Sequence, residues 1–383
     1  MSESAFREEV REWFRENAPR NWADNVASLE EAEFVEHQRR WLQLLNTRGF
    51  GSPHVPREWG GGGFSVQEQV VVYEEWVRSG APPLDTFLVS RFHVPSTLLL
   101  AGSIEQQERF VRAAIDGQIW CQGFSEPEAG SDLASLRARA TPVEGGWLIS
   151  GQKTWSSNAH LADYCLLLAR TGTEESRAKS ITYFILDMSS SGVSVRPIRQ
   201  INGHSEFSEV FLDDVFVPSE NVIGNLNEGW SIAQSTLQTE RGPIGVELIE
   251  RCILGIEQLS SQIGDETSAE SVKLAALSAH AFAVRALAYD IIAADDLKSF
   301  SVLKVAYTEL IHDVADFGMQ LAGLSVLQDG PERHFQGWVT GNWSRDWLSS
   351  WGNTIAAGAT EVQLDIIANT LLAMPREPRP SGS

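Results

Sequence analysis

Residues 229 to 247 read GWSIAQSTLQTERGPIGVE, and a carboxylate sits among them where helical spacing calls for an apolar side chain. Ala233, Leu237, Glu240 and Ile244 fall at i, i+4, i+7 and i+11, which puts Glu240 on the face turned to the core. Burial disfavours the charged form of a carboxyl, and a carboxyl so raised is a better base. A structural bridge to Arg241 or another arginine fits the same pattern, and spacing alone does not choose between the two. Gly242-Pro243 follows at once, and a proline without an N–H predicts a kink beside the acid.

Two further stretches carry groups that can hold an anion or a polar ring. WCQGFSEPEAGSDLASL, residues 120 to 136, ends an apolar run in a Ser/Glu/Gly turn that brings backbone N–H groups and hydroxyls together. ISGQKTWSSNAHLADY, residues 149 to 164, ends a strand in an aromatic followed by two hydroxyls and an amide. Taken singly, each also fits an ordinary strand-end turn. His160 and His204 lie near strand ends and read as hydrogen-bonded or surface residues. No His/Asp/Glu cluster has metal-ligand spacing, and no GxSxG serine is present.

These groups need a scaffold, and the chain is long enough to supply one. Its 383 residues, 43% hydrophobic and 21% charged, describe a globular protein with a substantial core. Fifty-one acidic against thirty basic residues give a formal charge of -21, which argues against nucleic acid or an anionic membrane as the main partner. The three cysteines, Cys121, Cys165 and Cys252, lack CxxC spacing and an even count, so a disulfide framework is not expected. The opening MSESAFREEVREWFRENAPR mixes acids and bases without an apolar run, and no segment has 18 unbroken apolar residues, so a cytoplasmic protein is expected.

Periodicity divides the chain into helices, sheet and helices. Residues 1–118 carry helical stripes in SAFREEVREWFRENA, EAEFVEHQRRWLQLLNTRGF, SVQEQVVVYEEWVRSG and SIEQQERFVRAAIDG. Residues 119–227 change to a period of two in WLISGQKTW, DYCLLLAR, ITYFILDM, VSVRPI and SEVFLDDVFVP, which predicts a compact antiparallel sheet or small barrel. Helical spacing returns over 228–376 in EGWSIAQSTLQTER, VELIERCILGIEQLSSQI, ESVKLAALSAHAFAVRALAYDIIAA, SFSVLKVAYTELIHDVADFGMQLAG and VQLDIIANTLLA. Residues 377–383 are a polar Pro/Ser tail expected to be loose. The acidic runs EEVREWFRE and SLEEAEFVE read as solvated helix faces.

The two strand-end stretches, followed in order by SEVFLDDVFVP, GNLNEGW, LQTER and GATEVQ, resemble the acyl-CoA dehydrogenase family of flavoenzymes over roughly residues 3 to 376. The resemblance implies an α+β protein with an N-terminal helical domain, a middle antiparallel β-domain and a C-terminal four-helix-bundle domain. It implies FAD as cofactor, with Phe124 and Ser125 near the flavin, and Gly130 and Ser131 near the pyrophosphate and the thioester end of the substrate. Trp155, Ser156 and Ser157 match the triplet that packs on the isoalloxazine and bonds around N5, and Thr360 and Glu361 match the adenosine-facing pair. Gln238 and Arg241 match substrate-lining positions, as does Ser131.

In much of that family the base is a glutamate just before a glycine near the C-terminus; the matching stretch here is TIAAGATEVQ, and the position is Ala357. A second branch places it before an arginine on the helix that opens the C-terminal domain. Glu240 stands there, with Arg241 after it. The implied reaction is α,β-dehydrogenation of an acyl-CoA thioester, in which one base takes an α-proton while a hydride leaves Cβ for the flavin. The backbone N–H of Ala357 is left to stabilise charge on the thioester carbonyl.

The chain also departs from the family. The arginine and phenylalanine that relatives use to reach a neighbour's FAD are missing from LSSQIGDETSAESVKLAAL, and QLAGL places Leu324 where a glycine is expected. The resemblance therefore points to a mixed assembly, most simply α2β2, with a homologous acyl-CoA dehydrogenase subunit supplying the missing contacts; the alternative is an ordinary homo-oligomer in which substitute residues rebuild the adenine contact. Bacterial steroid-catabolic members of the family are mixed assemblies of this kind, which points to lipid metabolism and a sterol side-chain thioester as substrate. Electron-transfer flavoprotein is the expected acceptor, with no nucleic-acid or membrane partner. Two alternatives stand beside this: a flavin-dependent oxidase or monooxygenase on the same fold, and a non-catalytic partner subunit.

Overall fold

The structure, a computed structural model, describes residues 3–26, 29–239, 244–264, 267–294, 296–327 and 342–375. The chain opens with α1 (Glu3–Asn17), α2 (Trp22–Val26), α3 (Glu31–Asn46), α4 (Val66–Arg78), α5 (Val94–Ala101) and α6 (Ile104–Ile115). Phe6, Val10 and Phe14 recur every fourth residue of α1 and are buried, so that face docks on the other helices. Ser65 and Ser103 cap α4 and α6, each reciprocated by Glu68 or Gln106 three residues on. Arg11 of α1 donates to Glu75 of α4 at 3.0 Å, and Arg7 reaches Glu74 at 2.5 Å.

Before α5 the backbone widens into a π turn over Val89–His93. Pro95 has no N–H to return to the carbonyl four residues back, and the Val94 N–H bonds instead to Val89. This widened turn carries Arg91, only 3% exposed, whose guanidinium stacks over Trp76 at 5.1 Å and whose Nε donates to the Gly51 carbonyl at 2.5 Å.

The middle of the chain forms one sheet from β1 (Trp120–Gly123), β2 (Arg139–Val143), β3 (Gly146–Ser157), β4 (Tyr164–Arg170), β5 (Ile181–Asp187), β6 (Val193–Ile198), β7 (Phe207–Pro218) and β8 (Val222–Ile223). The strand order is β6-β7-β3-β2-β4-β5-β8. Every pairing is antiparallel except β1 with β4 and the single bridge of β2 with β4, so the expected antiparallel sheet is in fact mixed. The reason is topological. β1 enters directly from α6 and runs alongside β4, with Cys121 opposite Cys165. The five period-two strands read from the sequence are present, β1 is the apolar run that enters the Ser125 turn, and β2 and β8 are additional.

The C-terminal part comprises α7 (Gly229–Thr239), α8 (Ile244–Ser260), α9 (Ala269–Ala293), α10 (Phe300–Ala322), α11 (Trp343–Ile355) and α12 (Thr360–Ile366), the last followed by a π turn over Ile367–Leu371. Helices α8, α9 and α10 share a core with Trp343 of α11. Helix α7 belongs elsewhere: Ile232 and Ala233 pack with Val94, Leu98, Phe110, Trp120 and Ile185, in a core that joins α5, α6 and one face of the sheet. Glu250 of α8 ties the parts together by accepting from Arg285 of α9 at 3.1 Å and Arg78 of α4 at 3.4 Å. Among the described residues α9 is long and apolar enough to span a membrane by length and composition, a test that a bundle helix also passes. Helix α11 was not foreseen.

Close approach of α10 and α11 depends on Gly318, where an added Cβ would overlap the Trp343 indole. Gly318→Ala gains about 1 kcal/mol of helix propensity. The forced overlap costs roughly 1–3 kcal/mol. The variant is therefore expected to be less stable than the parent in chemical denaturation; a rise in its midpoint would contradict this packing.

Candidate functional site

The Ser125 turn and the end of β3 are held together from beneath by a buried ion pair. Lys153 of β3, fully buried, donates to Glu126 at 2.7 Å and to the Phe124 carbonyl at 3.2 Å. The Glu126 carboxylate also accepts from the backbone N–H groups of Arg137 at 2.6 Å and Ala138 at 2.9 Å. Desolvation pulls the Lys153 ammonium below its ordinary pKa, and Glu126 opposes that shift. The Thr154 N–H donates to the Ser125 carbonyl at 2.9 Å, which seats Ser125 against the strand end. Neither Lys153 nor Glu126 was singled out from the sequence, although both stand inside the quoted stretches.

At the end of β3 the ladder with β7 slips by one residue between Lys153 and Ser156, a β-bulge. Trp155 lies in it with φ of 59°, a left-handed conformation unfavourable for a bulky residue, and its indole is 57% exposed. The ring stands edge-on to Phe207, 6.1 Å away at 81°. A strained backbone that presents a large apolar ring to solvent is the kind of outlier that concentrates at binding sites. Ser157 is half-buried; Ser156 is fully buried, and its Oγ has no hydrogen-bond partner. Gly130 and Ser131 are exposed, and a Cβ added at Gly130 would meet nothing within 4 Å. Phe124 turns its ring into the core against Tyr183, so only its backbone faces the turn's hydrogen bonds.

The loop between β6 and β7 connects this corner to the C-terminal helices. The Asn158 N–H donates to the Glu206 carbonyl at 2.6 Å, and Asn202 Nδ2 donates to Ser349 of α11 at 3.0 Å. Beyond α11, Ala357 and Gly358 both adopt positive φ, 53° and 90°. Gln363, fully buried, clamps that turn by donating to the carbonyls of Ala357 at 3.0 Å and Gly358 at 3.2 Å. Thr360 donates back to the Thr354 carbonyl at 3.3 Å, and Glu361 is exposed. Gln363 is a second positioning residue that sequence reading passed over, though it closes the quoted GATEVQ.

Glu240 and Arg241 lie outside the described residues, as do Gly242 and Pro243 with the expected kink. Gln238 falls in the last turn of α7. His160 is accounted for structurally, bridging Glu31 at 3.0 Å and Ser208 at 3.4 Å. Two carboxyls that the sequence did not flag are strongly perturbed. Desolvation pushes Asp85 up to about 6 and Glu206 up to about 7, the latter also through its neighbour Asp85.

The exposed Trp155 indole, on a strand end bonded to the Ser125 carbonyl through Thr154, and the exposed, uncrowded Gly130 turn with its serine hydroxyls are the groups that could hold a planar, phosphate-bearing molecule such as a flavin dinucleotide. The order of helices, sheet and helices is the fold of the acyl-CoA dehydrogenases, a class of flavoenzymes. Sequence comparison agrees. Family models for the N-terminal, middle and C-terminal domains of acyl-CoA dehydrogenase match residues 2–118, 121–215 and 227–372. The chain belongs to the acyl-CoA dehydrogenase family and is an oxidoreductase of that class.

Two relatives from Mycobacterium tuberculosis are similar over most of the chain. Acyl-CoA dehydrogenase FadE34 is 37% identical over 361 residues, covering 92% of this chain, which spans only 48% of that relative. Acyl-CoA dehydrogenase IpdE1 is 33% identical over 390 residues, covering 97% of this chain and 98% of the relative. Among solved structures, the Tcur3481-Tcur3483 steroid ACAD superposes with a TM-score of 0.83 at 28% identity over 98% of both chains. The ChsE4-ChsE5 complex of M. tuberculosis does so with a TM-score of 0.80 at 25% identity, again over 98% of both.

The raised carboxyls set a pH dependence with a defined sign. The folded-state values, about 6 for Asp85 and about 7 for Glu206, exceed those of the unfolded chain, so the folded state holds extra protons between roughly pH 4 and 7. Their contribution to stability is fully present below that window and is lost as pH rises through it. Replacing Glu206 with Gln is expected to flatten this part of the stability profile, measured by denaturation midpoint against pH. An unchanged slope would show that Glu206 is not held up by burial.

Proposed function

We propose that the chain dehydrogenates an acyl-CoA thioester between Cα and Cβ with Glu240 as the base. The observation that carries the flavin half of this reading is the strained, exposed Trp155 on a strand end bonded through Thr154 to Ser125. Ser125, Trp155 and Ser157 would hold the isoalloxazine, Gly130 and Ser131 the pyrophosphate side, and Thr360 and Glu361 the adenosine side. FAD, when bound, supplies the two-electron acceptor for the hydride that leaves Cβ. Glu240 takes the α-proton, and its predicted place on an apolar stripe supports basicity near neutral pH.

The alternative position for a base is Ala357, whose methyl side chain cannot take a proton. Its backbone still has work available. Residues 357 and 358 hold a left-handed turn clamped by Gln363, which fixes the direction of the N–H groups there. One such donor on the thioester oxygen stabilises the developing negative charge by about 3 kcal/mol. Gln238, Arg241 and Ser131 are assigned to the thioester and its CoA.

The division at residues 118 and 227 accompanies this assignment, with the flavin face on the middle domain and the base on the C-terminal one. The solved relatives are each named as a pair of chains, Tcur3481 with Tcur3483 and ChsE4 with ChsE5, and the former is called a steroid ACAD. That pairing, together with the absent arginine and phenylalanine in residues 259–277 and Leu324 at 84% exposure, supports an α2β2 heteromer with a homologous subunit. A sterol side-chain thioester as substrate and electron-transfer flavoprotein as acceptor extend the same reading.

Glu240→Gln is expected to leave the bound flavin's absorption spectrum intact while slowing its bleaching by substrate at least about a hundredfold. Bleaching at the parent rate would move the base elsewhere, and peroxide output in place of reduction of an artificial acceptor would identify an oxidase. Purified alone, the chain is expected to carry well under one FAD per chain and to reach full loading of the shared sites with its homologous partner. Full loading alone would defeat the heteromer.

A further inference from the structure

Arg170, the last residue of β4, is buried and divides its guanidinium between two loops. Toward residues 130–136, Nε and Nη2 both donate to the Leu136 carbonyl, at 3.0 and 2.9 Å, and Nη2 also donates to the Ala134 carbonyl at 3.0 Å. Toward the β4–β5 loop, Nη1 donates to the carbonyls of Arg177 at 2.8 Å and Thr173 at 3.3 Å and to the Ser180 hydroxyl. An outer contact repeats the link, since the Arg177 guanidinium reaches the Asp132 carboxylate at 2.5 Å. Burying a guanidinium is costly unless its donors are satisfied, and none of the Arg170 nitrogens is orphaned.

The two loops differ in character. The β4–β5 loop is fastened: the Thr171 N–H donates to the Ser180 carbonyl at 2.9 Å, and the Thr171 hydroxyl lies 2.7 Å from that of Thr182 on β5 and 2.9 Å from Asn227 Oδ1, just ahead of α7. Gly172 lets its two sides close, because a Cβ there would stand 2.7 Å from Ser180 Cβ. Arg177 holds φ 44° and ψ -123°, a costly conformation for a residue with a side chain, and its carbonyl is taken by Arg170. The turn at 130–136 is open by contrast. Gly130 and Ser131 are exposed, and the backbone N–H groups of Gly130, Ser131 and Asp132 donate to no acceptor among the described residues. Three successive unbonded donors suit an anion.

We infer that Arg170 is a positioning residue for the cofactor: by holding the Ala134 and Leu136 carbonyls against the fastened β4–β5 loop, it fixes the turn whose free N–H groups receive the diphosphate of FAD. The inference rests on the flavin reading above, which puts the pyrophosphate side at Gly130 and Ser131, and adds the residue that shapes that turn. Arg170 acts through the backbone of the turn and not on the cofactor itself. Its planar fork is what the task requires, because the donors must point at two loops at once. A lysine keeps the charge but carries its donors on a single atom and cannot span both.

The test uses the full chain, with its partner subunit if loading requires one, freed of bound flavin and titrated with FAD and with riboflavin, which shares the ring but carries no phosphate. The wild type is expected to bind FAD more tightly than riboflavin. Arg170→Lys is expected to weaken FAD at least about tenfold while riboflavin changes by less than about twofold. Ser180→Ala, a milder and charge-neutral change in the same network, is expected to show the same split at about threefold, and it decides alone if Arg170→Lys does not fold. A merely structural arginine would move both flavins together or neither, and either result would overturn the inference while leaving the flavin reading in place. A wild type that binds FAD no more tightly than riboflavin would sink the diphosphate assignment of Gly130 and Ser131, and the inference with it.

Discussion

A single buried ion pair, Lys153 with Glu126, is the constraint on which the candidate site is built. Its side chains are 0% and 7% exposed, so neither partner can lose the other without leaving an uncompensated charge, at a cost of roughly 3–5 kcal/mol. One end of the pair is anchored in the sheet, where Lys153 faces Val210 of β7. The other end gathers the turn by accepting from Arg137 and Ala138. The Ser125 turn and the Trp155 bulge are thereby locked in register, and the strain at Trp155 persists because the ladder closes again at Ser156 and Ser157.

From this anchor the site extends through hydrogen bonds that cross domain limits. Asn158 and Asn202 hold the β6–β7 loop between the end of β3 and α11, and Gln363 fixes the turn that follows α11. The same loop delivers Glu206 toward Asp85 of the N-terminal helices and the Glu247–Arg251 pair of α8.

The sequence made the layers legible because each is periodic over many residues. The period-two runs placed β3 to β7, and the apolar stripes placed most of the long helices. Shorter or interrupted signals were lost. Strand β2 contains Pro142, which argues against a strand. Helix α11 carries Trp343 and Trp347 at helical spacing but also buries Asp346 and Ser350, which broke the apolar pattern. The parallel pairing of β1 with β4 is a non-local fact that no local pattern records. At the site, the hydroxyls and Trp155 were visible as types in a motif. Lys153, one charge within an alternating strand, and Asp85, between two helical stripes, carry no local signal of a role. Both derive their meaning from what packs on them.

The central claim is that the Trp155 corner and Glu240 enclose the two ends of one reaction. The most direct measurement is a crystal structure of the FAD-loaded protein with a thioether analogue of acyl-CoA, which binds but cannot be oxidised as a thioester would be. The account predicts the flavin ring against the Trp155 indole, with the Glu240 carboxylate within hydrogen-bond reach of the analogue's Cα across from it. A Glu240 side chain turned to solvent or locked in a bridge with Arg241, or a flavin ring away from Trp155, would contradict it.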